Sequence, residues 1–209
     1  MTIVEIKTPK GSMFARLYDE TPQHRDNFLK LAREGFYDGT NFHRIIKSFM
    51  IQGGDPYSKN PATADMSGTG GPGYTIEAEI QPRFFHKKGA LAAARQGDNI
   101  NPQKRSSGSQ FYIVQGNTYN ANQLESLEKR IQYAKPGFTW TPEQKAEYAQ
   151  SGGTPHLDGD YTVFGEIING FDVLDEIAKV PTLPGDRPTE EMKMQIVLKE
   201  VEDIHACHP

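Results

Sequence analysis

Phe42-His43-Arg44-Ile45-Ile46-Lys47-Ser48-Phe49-Met50-Ile51-Gln52-Gly53-Gly54-Asp55 is the stretch on which the reading of the whole chain turns. Two strand-like runs, 41–46 and 49–52, flank Lys47-Ser48, and Gly53-Gly54-Asp55-Pro56 forms a turn cluster. Arg44, Met50 and Gln52 share sequence parity. If the turn at Lys47-Ser48 keeps strand phase, all three side chains point to one face.

Upstream, 2–7 and 12–18 read as strands joined at Lys10-Gly11. Thr21-Pro22 reads as an N-cap with proline at the first helical position, opening a helix to about Arg33 that Gly35 ends. Downstream, a loop rich in Gly, Pro and Ser covers roughly 55–73. Strands are expected at 74–80, 110–115, 161–168 and 194–202, with a helix at 171–179. Residues 117–155 differ in character. Leu124, Leu127 and Ile131 form an amphipathic stripe, and Thr141-Pro142-Glu143-Gln144 resembles a capping box. This stretch reads as a helical hairpin inserted between strands of one domain spanning 1–209, too short to be stable alone. Its Leu124 face is expected to pack against the sheet. Short strands, few helices and glycine-rich turns indicate a mainly β barrel or sandwich with flanking helices.

The bulk numbers narrow the function. With 23 Lys+Arg against 27 Asp+Glu, the net charge of −4 gives no electrostatic reason to bind nucleic acid or an anionic membrane. The 11 Phe and 9 Tyr argue for a packed core. One cysteine, Cys207, excludes an intrachain disulfide framework. No apolar run approaches the roughly 18 residues of a membrane-spanning helix. The start lacks a signal-peptide core, so the expected compartment is the cytoplasm, or the periplasm or exterior if a leader has been removed.

The opening segment closely resembles the signature of cyclophilins. Ser107-Gly108-Ser109-Gln110-Phe111-Tyr112-Ile113 and His156-Leu157-Asp158-Gly159, leading into Thr162-Val163-Phe164-Gly165, agree with the same family in order and rough spacing. The resemblance spans nearly all of the chain except the insertion and the C-terminal tail, and resembles a bacterial-like member carrying inserted helices. It implies a closed eight-stranded antiparallel β-barrel capped by two helices, with the site on the barrel's outer surface. It implies peptidyl-prolyl cis/trans isomerase activity that assists protein folding, with Arg44 as the catalytic residue. Phe49, Met50, Tyr112 and Leu157 would form the proline pocket, and Gln52 and Gln110 would meet the substrate backbone. His43, Ala94, Arg95, His156 and Tyr161 would line the groove. The partners implied are proline-containing peptides and unfolded proteins, bound by a monomer that needs no cofactor or metal. Cyclosporin is a further ligand of the resemblance, bound weakly because His156 stands where tryptophan is common. Arg95 stands where asparagine is common and would add charge to the groove.

These residue types suit the chemistry. The obstacle is amide resonance, a barrier of about 18–20 kcal/mol, and X–Pro exchange unaided takes tens to hundreds of seconds. Twisting deconjugates the prolyl nitrogen and restores its lone pair. Arginine, always charged and rigid, can donate to that nitrogen. Apolar side chains can hold the ring while the other half turns.

Other readings carry less. Gly68-Thr69-Gly70-Gly71-Pro72-Gly73 fits G-x-G-x-x-G formally, but Pro72 and a following strand deny it the strand-to-helix setting of a nucleotide loop, so a loop flanking the groove is expected. His205, Cys207 and His208 lack a fourth ligand nearby. Ser107, Ser109 and the histidines form no nucleophile elbow. The alternative of another class is a proline-peptide binding or chaperone-like module with weak catalysis.

Overall fold

The computed structural model describes residues 1–199, so the His205, Cys207 and His208 cluster and the end of the expected last strand lie outside the described residues. Strands β1 (Thr2–Thr8) and β2 (Gly11–Leu17) pair antiparallel from Thr2↔Leu17 to Thr8↔Gly11. Gly11 makes that tight reversal at φ +124°. Helix α1 (Pro22–Arg33) starts and ends as the sequence indicates, but its cap differs. The Thr21 hydroxyl donates to the Tyr18 carbonyl and makes no bond to the helix. The free amides of Gln23 and His24 donate instead to the Glu79 carboxylate, at 3.3 and 2.8 Å. Gly35, at φ +69°, then turns the chain out.

Strands β3 (Arg44–Ile46) and β4 (Met50–Gly53) form a hairpin with Arg44 opposite Gln52 and Ile46 opposite Met50. Strand β5 is only Thr75–Ile76, pairing with β7 (Ser106–Ser107), so the strand expected over 74–80 is mostly absent. The chain leaves the ladder there because Glu79 is used elsewhere. Its carboxylate caps α1, and its amide donates to the Thr162 hydroxyl at 3.0 Å. Strand β6 (Ala90–Ala93) is one that patterning misses. Ala-Leu-Ala-Ala favours helix by propensity, yet it lies wholly buried between β8 (Phe111–Val114) and β9 (Val163–Asn169).

The insertion holds α2 (Ala121–Ala134) and α3 (Pro142–Gln150), each opened by a reciprocal capping box, at Asn120/Gln123 and Thr141/Gln144. Leu124 packs with Trp140 and Tyr148 within the insertion, and the group rests on Phe85 of the main body. Helix α4 (Phe171–Ala178) follows, then β10 (Thr182–Leu183), β11 (Arg187–Pro188) and β12 (Gln195–Lys199).

Eight strands form one antiparallel sheet in the order β12-β1-β2-β9-β6-β8-β4-β3. The sheet curls, but among the described residues its edge strands β12 and β3 do not pair with each other, so the closed ladder expected from the resemblance is not formed by strands there. Segments just before each edge meet instead. Asn41 bridges Lys193, the Phe42 amide donates to Met192 O at 2.9 Å, and the Met194 amide to Thr40 O at 2.9 Å.

The two-residue alternation of the strands separates two apolar layers. On β4 and β8, Ile51, Phe111 and Ile113 join the main core with Phe28 of α1 and Leu174 and Ile177 of α4. Met50, Tyr112 and Val114 face the other way, with Ala92, Ala94 and Val163. That second layer is the floor of the site.

Candidate functional site

A cavity of about 340 Å³ opens over this second layer. The β3–β4 hairpin supplies Arg44, Met50 and Gln52 to it, so the turn does keep strand phase, with Ser48 at φ +62° making the reversal. Phe49 flanks them from the turn, Tyr112 enters from β8, and Leu157 comes from the short 3₁₀ turn Pro155–Leu157. His43, Ala94, Arg95 and Tyr161 complete the part of the lining that the sequence names. An apolar recess thus lies beside a guanidinium.

A relay of amides orients that guanidinium. Arg44 Nη1 donates to Gln52 Oε1 at 3.2 Å, and Gln52 Nε2 donates to Gln110 Oε1 at 3.0 Å. Gln110 Nε2 donates to Gly70 O at 2.8 Å and Asp55 Oδ2 at 3.3 Å. Each amide flip is fixed by the next partner, because carbonyl and carboxylate oxygens only accept. Gln110 therefore stands behind Gln52, lining an adjoining hollow and not the main cavity. Asp55, fully buried, also accepts from the amides of Tyr57 at 2.8 Å, Gly68 at 2.6 Å and Gly70 at 2.9 Å. The glycine-rich segment is thus a loop hung on Asp55 beside the cavity, where Ser67 and Gly68 line the wall.

Two residues sit differently from the rest. His156 is not among the residues lining the main cavity; its ring lies 5.7 Å from Phe49 and faces a second recess against α2. Arg95 adds little free charge. Its side chain is only 6% exposed, ion-paired to Asp98 at 2.9 Å, and it donates through Nε to Asp160 O at 2.7 Å. Its guanidinium lies 4.6 Å over the Tyr161 ring, bracing the wall. Sequence reading missed Ser67 and Gly185, which reach the cavity from loops, and Arg187, which reaches it from the two-residue strand β11, whereas Gly68 belongs to the glycine-rich loop expected to flank the groove.

The imidazole of His43 is buried at the cavity, and that of His24 on α1 away from it. Burial pushes the pKa of both below the ordinary value of about 6.5. The unfolded chain then binds more protons than the folded one just below that value, so stability is full above it and falls as the pH drops through the lowered folded values. The urea midpoint should be lower at about pH 5.5 than at about pH 7.5. Equal or higher midpoints at the lower pH would contradict this.

Ser106, His24 and Glu79 form a hydroxyl–imidazole–carboxylate chain, with His24 Nε2 2.8 Å from Ser106 Oγ and Nδ1 2.6 Å from Glu79 Oε1. It is not a hydrolytic centre. Ser106 is 1% exposed, and the neighbouring void of about 10 Å³ admits a water at most. Among the described residues no group of three or more His, Cys, Asp or Glu could hold a metal ion, and no helix is long and apolar enough to cross a membrane.

The curled antiparallel sheet and the guanidinium beside an apolar recess on its outer face define a β-rich protein with a groove suited to an extended peptide. The family described as "Cyclophilin type peptidyl-prolyl cis-trans isomerase/CLD" matches residues 3–198. A Staphylococcus aureus protein named as a peptidyl-prolyl cis-trans isomerase is 37% identical over 195 residues, covering 93% of this chain and 89% of that protein. A Streptococcus pyogenes protein named as a bifunctional phosphatase/peptidyl-prolyl cis-trans isomerase is 40% identical over 200 residues, 93% of this chain but 38% of that protein's length. A crystal structure of a cyclophilin type peptidyl-prolyl cis-trans isomerase from Cryptosporidium parvum superposes with TM-score 0.68 at 27% identity, covering 95% of this chain and 98% of that one. The same protein in the presence of the dipeptide Ala-Pro gives 0.67, covering 95% and 99%. The chain belongs to the cyclophilin-type peptidyl-prolyl cis-trans isomerase family. Isomerisation of X–Pro peptide bonds is its function.

Proposed function

We propose that the cavity above β4 and β8 is where the X–Pro bond turns. The observation that carries this is the placement of Arg44 Nη1 beside Gln52 on the same wall as Met50, Phe49 and Tyr112. The pyrrolidine ring enters the apolar recess of Phe49, Met50, Tyr112 and Leu157. The Gln52 amide, polarised by its two neighbours, holds the flanking backbone. Arg44 donates to the prolyl nitrogen as it pyramidalises. That interaction is weak with either planar isomer and strong with the twisted one, which is the condition for a lower barrier. No bond is made or broken in the step.

The same reading covers the whole of residues 1–209 as one domain with an insertion, acting as a monomer in the cytoplasm on proline-containing peptides and unfolded proteins. The seam at Asn41–Lys193 completes the barrel in this view. His156, set beside the groove and away from its floor, supports weak cyclosporin binding. The test is exchange of an Ala-Pro peptide. Catalytic amounts of the protein should accelerate cis-to-trans conversion well beyond the uncatalysed rate. Affinity for the peptide without acceleration would replace this reading by that of a binding module.

A further inference from the structure

The helical insertion is tied to the floor of the groove through one buried carboxylate. Asp158, 5% exposed, directly follows the turn that carries Leu157. Its Oδ1 accepts from the His86 backbone amide at 2.8 Å and from His86 Nδ1 at 2.7 Å. Its Oδ2 accepts from Trp140 Nε1 at 2.8 Å and from the Tyr148 hydroxyl. On the far side of the imidazole, Nε2 lies 2.7 Å from the Tyr112 hydroxyl.

The proton positions follow from the donor inventory. A carboxylate only accepts, and an indole N–H and a backbone N–H only donate. Asp158 Oδ1 thus fixes a proton on Nδ1, and in the neutral imidazole Nε2 is left with its lone pair. To that lone pair Tyr112 donates, and burial holds the Tyr112 hydroxyl well above its ordinary pKa, so the proton stays available.

The Tyr112 ring is thus held at its tip by His86, the two rings lying 13° from parallel with centroids 5.9 Å apart. Tyr161 meets it edge-on at 5.7 Å and meets His86 edge-on at 6.2 Å. The insertion also reaches the rim directly, where Lys135 Nζ contacts Asp160 Oδ1 at 2.5 Å, next to Tyr161. Trp140, Tyr148 and Lys135 all belong to the insertion, whereas Tyr112 and Tyr161 line the cavity.

We propose that the insertion is a positioning element for the proline recess: Trp140 and Tyr148 hold Asp158, Asp158 sets the His86 tautomer, and His86 clamps the Tyr112 ring on which the pyrrolidine packs. This rests on the recess being the proline site. It gives the helices a task beyond covering the sheet, and gives a tyrosine at this position a use for its hydroxyl that phenylalanine would lack.

The test is a double-mutant cycle read in substrate affinity and in turnover. Trp140→Phe with Tyr148→Phe removes the two donors from the insertion and keeps the aromatic packing. Tyr112→Phe removes the hydroxyl at the far end of the chain. In the wild-type background the insertion pair should raise KM, and the dissociation constant of an Ala-Pro peptide, about threefold to tenfold, with a smaller change in kcat. In the Tyr112→Phe background the same pair should change both by less than about twofold, since its effect passes through the hydroxyl already removed. Equal effects in the two backgrounds would show general loosening and overturn the proposal, as would no effect in the wild-type background. Circular dichroism melting of every variant checks folding. If the pair fails to fold, Trp140→Phe alone, which leaves the Tyr148 bond to Asp158, completes the same cycle. Failure of the wild-type protein to accelerate exchange would count against the catalytic reading alone, because the affinity arm still decides the positioning role.

Discussion

Replacing Arg44 by alanine lowers kcat/KM for X–Pro exchange by about 100-fold, from losing one or two charged hydrogen bonds to the twisted state at about 1.5–3 kcal/mol each. The loss falls on kcat more than on KM, because a planar amide nitrogen offers the guanidinium no lone pair. Arg44→Lys recovers only part of the rate. A lysine ammonium keeps the charge but cannot both hold Gln52 Oε1 and present a second, rigidly spaced donor to the substrate. Arg44 is half-exposed on a hairpin and stands outside the buried core clusters, so neither change should move the melting temperature much. Progress curves of peptide exchange across a range of concentrations separate kcat from KM. A variant that keeps kcat and loses only affinity would contradict the assignment.

Asp55→Ala is expected to be the most damaging change to the fold near the site. The carboxylate is fully buried and accepts from three backbone amides and from Gln110 Nε2. Alanine leaves those donors without a partner, at a cost of about 3–5 kcal/mol if water does not reach all of them. Asp55→Asn tests the charge more finely, since its amide nitrogen would face backbone donors on one side. Both variants release the 67–70 loop and loosen the Gln110–Gln52–Arg44 relay, so exchange activity should fall together with the urea midpoint. A stable but inactive Asp55→Ala protein would show that the relay matters and the loop anchor does not; a stable and fully active one would refute both.

Much of this architecture is legible in the chain itself. The hairpin phase of Arg44, Met50 and Gln52 follows from period-two alternation, the start of α1 is visible as Thr21-Pro22, and the cap of α3 as Thr141-Pro142. What stays hidden is what tertiary partners supply. Glu79 caps α1 from 55 residues away, and Thr21 gives up the part that its position suggests. Ala-Leu-Ala-Ala becomes a strand because neighbours on both sides complete its ladder, against its own propensity. At the site, the residues on β3, β4 and β8 were readable because strands impose direction. Ser67 and Gly185 were not, because loops do not, and Arg187 was not, because the two-residue strand that carries it is too short to show a pattern. His86 carries no motif, and its place between Tyr112 and Asp158 exists only in three dimensions.

The central claim is that Arg44 binds the twisted amide more tightly than either planar form. Two-dimensional exchange NMR on an Ala-Pro peptide reads rate and affinity in one sample, because cis and trans resonances report interconversion while their shifts report binding. With wild-type protein below stoichiometric amounts, exchange cross-peaks should appear between isomers that are otherwise static on that timescale. With Arg44→Ala the shifts should still titrate with a similar dissociation constant, while the cross-peaks vanish. Cross-peaks of equal strength with Arg44→Ala, or none with the wild-type protein, would contradict the account.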